Sequence, residues 1–176
     1  RKNTNNNYCT GGTGQNGRGA DLNRNWPFEW APYSYQCDAT YPGPQASSEP
    51  ETQALLNYVS SIYPDMRGPN PTDPVNELNA TGMFIDLHSY SRLVLWPWGY
   101  TEENAPNHES LRVMSYKFAY YNGHEPQKST ELYATNGSTD DWAYGELGVP
   151  GFCFEIGDVF HQRCDTFEND INPNNI

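Results

Sequence analysis

The chain has 176 residues, a length that suits one domain with a buried core. Hydrophobic residues make up 36% of it and aromatic residues 14%, so we expect a globular protein whose core is built from Tyr and Trp more than from Leu and Ile. The formal net charge of -12 argues against nucleic acid and anionic membranes as partners, and no apolar run reaches membrane-spanning length.

The cysteines are Cys9, Cys37, Cys153 and Cys164, and none of them forms a Cys-x-x-Cys pair, which argues against a zinc knuckle. The most local pairing joins Cys9 to Cys37 and Cys153 to Cys164. Because disulfides persist in oxidising compartments, an even cysteine count suits a secreted or periplasmic protein. Four buried free thiols are the alternative.

The polar opening of the chain leads into a candidate carboxylate-binding segment. Residues 12–17 have the form Gly-x-Gly-x-x-Gly, but no predicted strand precedes them and no predicted helix follows, so we expect an irregular loop. In residues 21–27, the planar guanidinium of Arg24 can hold a carboxylate through two hydrogen bonds, and Asn23 can donate another. A salt-bridged surface turn is the alternative.

A first helix is predicted to begin after Ser48, which forms a capping box with Glu51, and to run to about Ile62. Its expected inward face consists of Leu55, Tyr58, Val59 and Ile62. Prolines at several positions of residues 63–80 then indicate a loop.

The apolar run from Met83 to Leu87 predicts a buried strand that ends at His88, and a second strand follows from Leu93 to Trp98. Ligands of open α/β sheets bind at the ends of central strands. We therefore consider His88 a candidate metal ligand or acid/base group. A core histidine that is hydrogen-bonded to a neighbour is the alternative.

The second half of the chain predicts three helices. The first covers residues 107–122, and its expected inward residues are Leu111, Met114, Phe118 and Tyr121. Residues 123–137 are expected to be irregular. The next helix is predicted to begin at Ser138, as the capping residue, and to end at Gly148. A short helix over residues 166–171 closes the chain.

Glu155 lies inside an apolar run, residues 151–156, that predicts a buried strand. An ionised carboxylate in such a run is costly unless another group compensates its charge. An arginine or a metal site nearby would supply that compensation, so Glu155 is a second candidate for the site.

Several stretches together resemble the zinc metallocarboxypeptidases of the carboxypeptidase A/B family. They are Arg1-Lys2, residues 21–26, residues 37–43 in the form Cys-x-x-Thr-Tyr-x-Gly, residues 87–91, residues 96–100, Tyr133 with residues 141–144, and residues 152–155 in the form Phe-x-Phe-Glu. The resemblance extends over nearly the whole chain. It implies an α/β fold in which helices sandwich a mixed central sheet.

The resemblance also implies roles for particular residues. His88 resembles the third protein ligand of a single catalytic Zn2+, and Glu155 resembles the general base that takes a proton from the attacking water. Asn23 and Arg24 resemble the clamp for the C-terminal carboxylate of the substrate. Tyr133 resembles the mobile tyrosine that closes over the bound residue.

Three further positions follow from the same resemblance. Arg1 resembles the arginine that polarises the scissile carbonyl. Tyr90 resembles a subsite residue, and the Ser89–Tyr90 peptide is expected to be cis. Asp140 occupies the position at the base of the side-chain pocket, where an aspartate selects C-terminal Lys or Arg. The alternative for Asp140 is a role in the helix start at Ser138. A bridge between Cys9 and Cys37 is also implied.

The sequence departs from the family in one respect. The family binds zinc with an upstream His-x-x-Glu pair in addition to the later histidine, and residues 1–176 contain no His-x-x-Glu. We therefore expect the chain to be the C-terminal portion of a single catalytic domain, whose missing N-terminal portion carries the other two zinc ligands. Alone, the chain is expected to be inactive.

The expected partners are peptide or protein C-termini and the missing N-terminal portion of the domain. Two other functions stay open at this point. One is a non-catalytic protein that binds peptide C-termini, although retention of Glu155 and Tyr133 counts against it. The other is a secreted carbohydrate-binding module, suggested by the aromatic content and the acidity.

Overall fold

The computed structural model describes residues 3, 8, 9 and 19–175. Within these residues, four strands form one sheet: β1 (Phe84–His88), β2 (Leu93–Trp96), β3 (Glu125–Lys128) and β4 (Gly151–Glu155). Their spatial order is β1–β4–β2–β3. β1 runs parallel to β4 and β2 parallel to β3, whereas β2 and β4 are antiparallel, so the sheet is mixed.

The helices connect and flank these strands. They are α1 (Pro50–Ile62), α2 (His108–Asn122), α3 (Ser129–Leu132), α4 (Thr139–Leu147) and a C-terminal helical segment made of α5 (Cys164–Thr166), a π-helical turn (Phe167–Ile171) and α6 (Asn172–Asn175). Short 3-10 turns cover Leu22–Arg24 and Glu77–Asn79. No described helix is long and apolar enough to cross a bilayer.

Helices lie on both faces of the sheet. On one face, the rings of Phe152 and Phe154 each lie 5.3 Å from the ring of Phe118 in α2. Side chains alternate between the faces of a strand, so Gly151 points to the opposite face. There, a Cβ at Gly151 would lie 2.5 Å from the backbone oxygen of Asp140 in α4. The predicted mixed α/β sandwich is therefore confirmed.

The core is aromatic, as the composition predicted. Its ring pairs include Trp26 with Trp142 at 4.7 Å, Phe28 with Trp98 at 5.3 Å, and Trp98 with Tyr144 at 5.1 Å between centroids. Trp142, Tyr144 and Phe152 are almost fully buried. These contacts fix the strand ends and the start of α4, which surround the candidate site.

β1 differs from the prediction of a buried central strand. In the part of the chain that the structure describes, it is an edge strand of the sheet, and only one of its faces is covered. Ile85 is 39% exposed and Leu87 61% exposed. The apolar run of this strand correctly predicted its existence, but an apolar pattern does not report how many neighbours the strand has.

α1 also turns much of its predicted inward face to solvent. Val59 is buried, whereas Leu55, Tyr58 and Ile62 are each more than half exposed. The predicted capping box is wrong as well, because Glu49 occupies the N-cap position without a side-chain cap. The Ser48 hydroxyl instead donates to Glu49 and accepts from Asn25.

Three smaller predictions need correction. Residues 123–137 contain β3 and α3 and are not wholly irregular. Tyr121 of α2 is exposed, not inward. Ser138 occupies the N-cap position of α4, but its side chain makes no capping hydrogen bond. The boundaries of α1, α2, α4 and β4 agree closely with the predicted ones.

The cysteines confirm one predicted bridge and contradict the other. Cys9 and Cys37 form a disulfide. Cys153 and Cys164 are free: Cys153 is buried in β4, and Cys164 is exposed at the start of α5. Nearness in sequence failed here because Cys153 belongs to a buried strand, whereas Cys164 lies on the surface of another element.

We expect loss of the Cys9–Cys37 bridge to lower the free energy of unfolding by about 3.5 kcal/mol, because the bridge constrains a loop of 28 residues in the unfolded chain. Urea unfolding of a Cys9→Ser/Cys37→Ser double variant measures this loss. Cys164→Ser is the matched control and should change stability by less than about 0.5 kcal/mol, since Cys164 is exposed and unpaired. Equal stability of the double variant and the parent chain would contradict the expectation.

Candidate active site

A cavity of about 420 Å³ lies where β1 and β4 end. His88 is the last residue of β1, Glu155 is the last residue of β4, and the two are paired in register. Every predicted site residue among the described residues lines this cavity, namely Asn23, Arg24, His88, Tyr90, Tyr133, Asp140 and Glu155. Arg1 lies outside the described residues. The imidazole, the carboxylate and the guanidinium therefore share one cavity.

His88 and Glu155 face each other in the cavity. Nδ1 of the imidazole lies 3.7 Å from Oε1 of the carboxylate. Burial raises the pKa of Glu155, and the charge of Asp86 adds to the rise, whereas the charges of His88 and Arg24 oppose it. A carboxylate that holds its proton more tightly than usual is a stronger base when it is ionised, which suits proton transfer near neutral pH.

The other ring nitrogen of His88 is held by Asp86. Nε2 lies 2.8 Å from Oδ2 of Asp86, and the hydroxyl of Thr139 donates to the same oxygen at 2.5 Å. Burial would lower the pKa of His88, but the hydrogen bond and charge of Asp86 outweigh it and raise that pKa. Because a carboxylate only accepts, the ring proton belongs on Nε2, and the lone pair of Nδ1 faces the cavity.

This arrangement fits a metal ligand at His88. Nδ1 of His88, Sγ of Cys153 and a carboxylate oxygen of Glu155 all lie within 4.8 Å of one another. An imidazole whose second nitrogen bonds a carboxylate is typical of protein zinc sites. The other histidines, His108, His124 and His161, do not line the described cavity. The chain thus presents one imidazole to a zinc ion, and a catalytic zinc needs three protein ligands.

Arg24 and Asn23 project from the 3-10 turn Leu22–Arg24, whose first turn is capped by the side chain of Asp21. Arg24 is only 7% exposed, donates to the backbone oxygen of Asn23 at 2.6 Å and donates to the Tyr133 hydroxyl at 3.2 Å. It forms no ion pair with a described carboxylate. These facts disfavour a surface salt bridge and leave a buried cation facing the cavity.

Asp140 and Asp141 both lie in the first turn of α4, but their side chains contact different parts of the structure. Asp140 is 3% exposed, lines the cavity and accepts a hydrogen bond from the hydroxyl of Ser129 at 2.9 Å. Asp141 points away and accepts the backbone N–H groups of Gly99 and Tyr100 at 2.9–3.0 Å. Burial, followed by the charge of Asp140, raises the pKa of Asp141 well above its usual value. The second aspartate therefore positions the loop after β2.

Tyr90 lies at the rim of the cavity. The Ser89–Tyr90 peptide is cis, as expected. The Tyr90 ring packs edge-on against Phe160, 4.8 Å between centroids, and Phe160 is 70% exposed. Phe160 lines the same cavity and was not predicted.

Comparison with known proteins agrees with this geometry. Residues 1–175 match the family model described as zinc carboxypeptidase. The chain belongs to the zinc carboxypeptidase family. Mast cell carboxypeptidase A of Rattus norvegicus is 36% identical over 152 residues, which cover 80% of this chain and 33% of that protein. Zinc carboxypeptidase A 1 of Anopheles gambiae is 34% identical over 146 residues, which cover 74% of this chain and 29% of that protein.

The fold is similar to that of a solved zinc carboxypeptidase. The crystal structure of carboxypeptidase A from Helicoverpa armigera superposes with a TM-score of 0.70 at 21% identity, and the match covers 99% of this chain and 42% of that chain. This likeness concerns the fold alone. The chain spans about a third of the length of the curated zinc carboxypeptidases it matches.

Several residues in or beside the candidate site were not predicted. They are Asp86, Thr139, Ser129, Cys153 and Phe160. Asp86 offered one usable signal, because it is a charged residue inside an apolar strand, two positions before His88 and therefore on the same face. Thr139 and Ser129 offered none, since their contacts depend on how α3 and α4 pack against the sheet.

Proposed function

We propose that the chain is the C-terminal portion of the catalytic domain of a carboxypeptidase of the A/B type, a zinc-dependent exopeptidase that hydrolyses the C-terminal residue of peptides and prefers Lys or Arg. The observation that carries the proposal is the convergence of His88, Glu155 and Arg24 on one cavity of about 420 Å³. An exopeptidase needs a carboxylate clamp, a water-activating centre and a proton carrier, and these three residues are of the right types.

Substrate binding begins at the clamp. The buried guanidinium of Arg24 supplies a fixed positive charge for the terminal carboxylate, and Asn23 supplies an amide N–H beside it. Tyr133 already accepts a hydrogen bond from Arg24, yet its side chain is 54% exposed. Exposure leaves Tyr133 room to move over a bound residue and exclude water from it.

Glu155 acts as the general base. It takes a proton from the attacking water and returns it to the departing amine, so that each product leaves in a stable protonation state. A zinc ion held by His88 and two further ligands would act as a Lewis acid and lower the pKa of water. We assign polarisation of the scissile carbonyl to Arg1 as part of the same proposal.

The side-chain preference rests on Asp140. This carboxylate is buried, lines the cavity and is held by Ser129. An ammonium or guanidinium group of a bound Lys or Arg would neutralise its charge, whereas an aromatic side chain would not. The net charge of -12 also favours basic peptides at longer range.

The rest of the domain is proposed to cover the exposed apolar surfaces. Among the described residues, β1 is an edge strand on which Ile85 and Leu87 are exposed, and α1 exposes Leu55, Tyr58 and Ile62. An edge strand with exposed apolar side chains is open to pairing with another strand. We propose that the missing N-terminal portion pairs there and contributes the other two zinc ligands. The disulfide supports a secreted or periplasmic location.

A non-catalytic role in binding peptide C-termini is the second candidate, because Asn23 and Arg24 both lie in the described chain whereas only one zinc-binding imidazole does. This candidate predicts that the chain by itself retains the carboxylate clamp. A carbohydrate-binding role has no such support, since Trp26, Trp98 and Trp142 are buried in the core.

The test compares the 176-residue chain with a longer polypeptide that also carries the sequence upstream of Arg1. With zinc present, we expect the longer polypeptide to hydrolyse hippuryl-Arg faster than hippuryl-Phe and the chain alone to hydrolyse neither. Removal of zinc by 1,10-phenanthroline should abolish turnover, and added zinc should restore it.

Two outcomes would contradict different parts of the proposal. No release of a C-terminal residue by the zinc-loaded longer polypeptide would refute the exopeptidase and leave the binding role. Turnover by the chain alone would refute the proposed division of zinc ligands.

A further inference from the structure

Two residues that were not predicted, Asp86 and Thr139, connect His88 to the carboxylate clamp through hydrogen bonds. Asp86 and His88 lie two positions apart in β1, on the face that meets the first residue of α4, Thr139. Thr139 donates two hydrogen bonds, one from its hydroxyl to Asp86 at 2.5 Å and one from its backbone N–H to Oδ1 of Asn23 at 2.9 Å. The result is a continuous hydrogen-bonded chain from His88 to Asn23.

We infer that Asp86 and Thr139 are positioning residues, which orient the His88 imidazole toward the metal and the Asn23 amide toward the substrate carboxylate as one unit. The inference rests on the proposed function, because it assigns partners to the metal ligand and to the clamp. It adds residues that were not among the predicted site residues.

Asp86 fixes the imidazole. Its Oδ2 lies 2.8 Å from Nε2 of His88, so the ring is held in the tautomer whose proton is on Nε2. The Asp86 bond therefore sets the orientation of the ring and turns the lone pair of Nδ1 to the cavity, where it lies 3.7 Å from Glu155. Carboxylate partners of this kind keep a metal-binding histidine oriented, and their loss typically lowers metal affinity 10- to 100-fold.

Thr139 fixes the amide of Asn23. Because Oδ1 of Asn23 accepts the backbone N–H of Thr139, the amide cannot be flipped without losing that bond. Nδ2 is therefore left as the donor, on the side where it lies 3.4 Å from Nε2 of His88 and where the cavity opens. The same residue thus orders the clamp through its backbone and Asp86 through its hydroxyl.

Asp86 depends on its two hydrogen-bond partners. The strand residues around it are apolar, and a carboxylate on a covered strand face costs free energy unless it is hydrogen-bonded. Thr139 and His88 are the partners that offset this cost.

The variants distinguish the hydrogen bonds that hold His88 from the one that orders Asn23. Asp86→Ala removes the acceptor of His88. Thr139→Val removes only the hydroxyl and keeps the backbone N–H that orders Asn23, and Thr139→Ser restores the hydroxyl. Thr52→Val is the matched control, because Thr52 is equally buried and its hydroxyl has no hydrogen-bond partner among the described residues.

The first readout is the 176-residue chain itself, by NMR of the imidazole nitrogens. A hydrogen-bonded Nε2–H resonance of His88 is expected in the parent chain, in Thr139→Ser and in Thr52→Val. It should be lost to solvent exchange in Asp86→Ala and weakened in Thr139→Val. This measurement does not depend on catalysis, so it stands even if the proposed function fails.

The second readout is the zinc dissociation constant of the longer polypeptide, measured by competition with a chelator. Asp86→Ala should weaken zinc binding 10- to 100-fold, and Thr139→Val should weaken it less, with recovery in Thr139→Ser. Unchanged zinc affinity and an unchanged Nε2–H signal in Asp86→Ala would overturn the inference. An equal loss in Thr52→Val and Thr139→Val would overturn it too, since that result would assign the effect to general packing. If Asp86→Ala does not fold, the comparison of Thr139→Val with Thr139→Ser tests the inference by the same two measurements.

Discussion

Replacing Glu155 with Gln is expected to lower kcat of the longer polypeptide about 1000-fold, within the range typical of a lost general base. Gln has nearly the same shape, so packing at the end of β4 is preserved, but an amide cannot take a proton from water. Glu155 is 9% exposed and lies beside Nδ1 of His88, so bulk solvent does not easily replace it. The measurement is steady-state hydrolysis of hippuryl-Arg at saturating zinc.

Two further measurements make this expectation specific. Binding of free arginine, a product of the reaction, should change less than about threefold in Glu155→Gln, because the clamp at Arg24 is intact. Glu146→Gln serves as the matched control, since Glu146 is an exposed glutamate of α4 that does not line the cavity. Turnover within tenfold of the parent in Glu155→Gln would remove Glu155 as the base.

The two strand residues were the most predictable part of the site. His88 was predicted at the end of an apolar run and Glu155 as a charged residue within one, and neither prediction needed the strand order. The register that makes them neighbours was not predictable, because β1 and β4 are more than 60 residues apart in the chain. In the structure α4 packs against both strands.

The covering of apolar faces was the least predictable part. Periodicity correctly identified Leu55, Tyr58 and Ile62 as one face of α1, but this face is exposed in the described structure. A periodic pattern reports that a face is apolar and not which element covers it. The same limit applies to Leu87, which was assigned to a buried strand and is exposed on β1, the edge strand of the sheet that the described residues form.

Hydrogen-bonded partners show a related limit. Thr139 was predicted only as part of a helix start, and nothing in its local sequence relates it to Asp86, 53 residues earlier. Cys153 was predicted to pair with Cys164, yet its alternation with Glu155 along β4 turns both toward the cavity. Strand alternation contained that information, and the short sequence distance between the cysteines concealed it.

Replacing Asp140 with Asn is expected to lower kcat/KM for hippuryl-Arg about 100-fold and to change it less than about threefold for hippuryl-Phe. Truncating one partner of a buried charge pair costs about 2–5 kcal/mol, and a guanidinium in this cavity would lose its counter-charge. Asn keeps an oxygen that can accept from Ser129, so the wall of the pocket should stay in place. The measured quantity is the ratio of kcat/KM for the two substrates.

Asp141→Asn distinguishes a change of pocket charge from a change of pocket shape. Asp141 bonds the backbone of Gly99 and Tyr100 and does not line the cavity, so its replacement should affect both substrates alike. A fall confined to hippuryl-Arg in Asp140→Asn, with a parallel fall for both substrates in Asp141→Asn, would place the cation-binding charge at Asp140. An unchanged ratio in Asp140→Asn would instead assign Asp140 to the start of α4, where acidic residues stabilise the helix N-terminus.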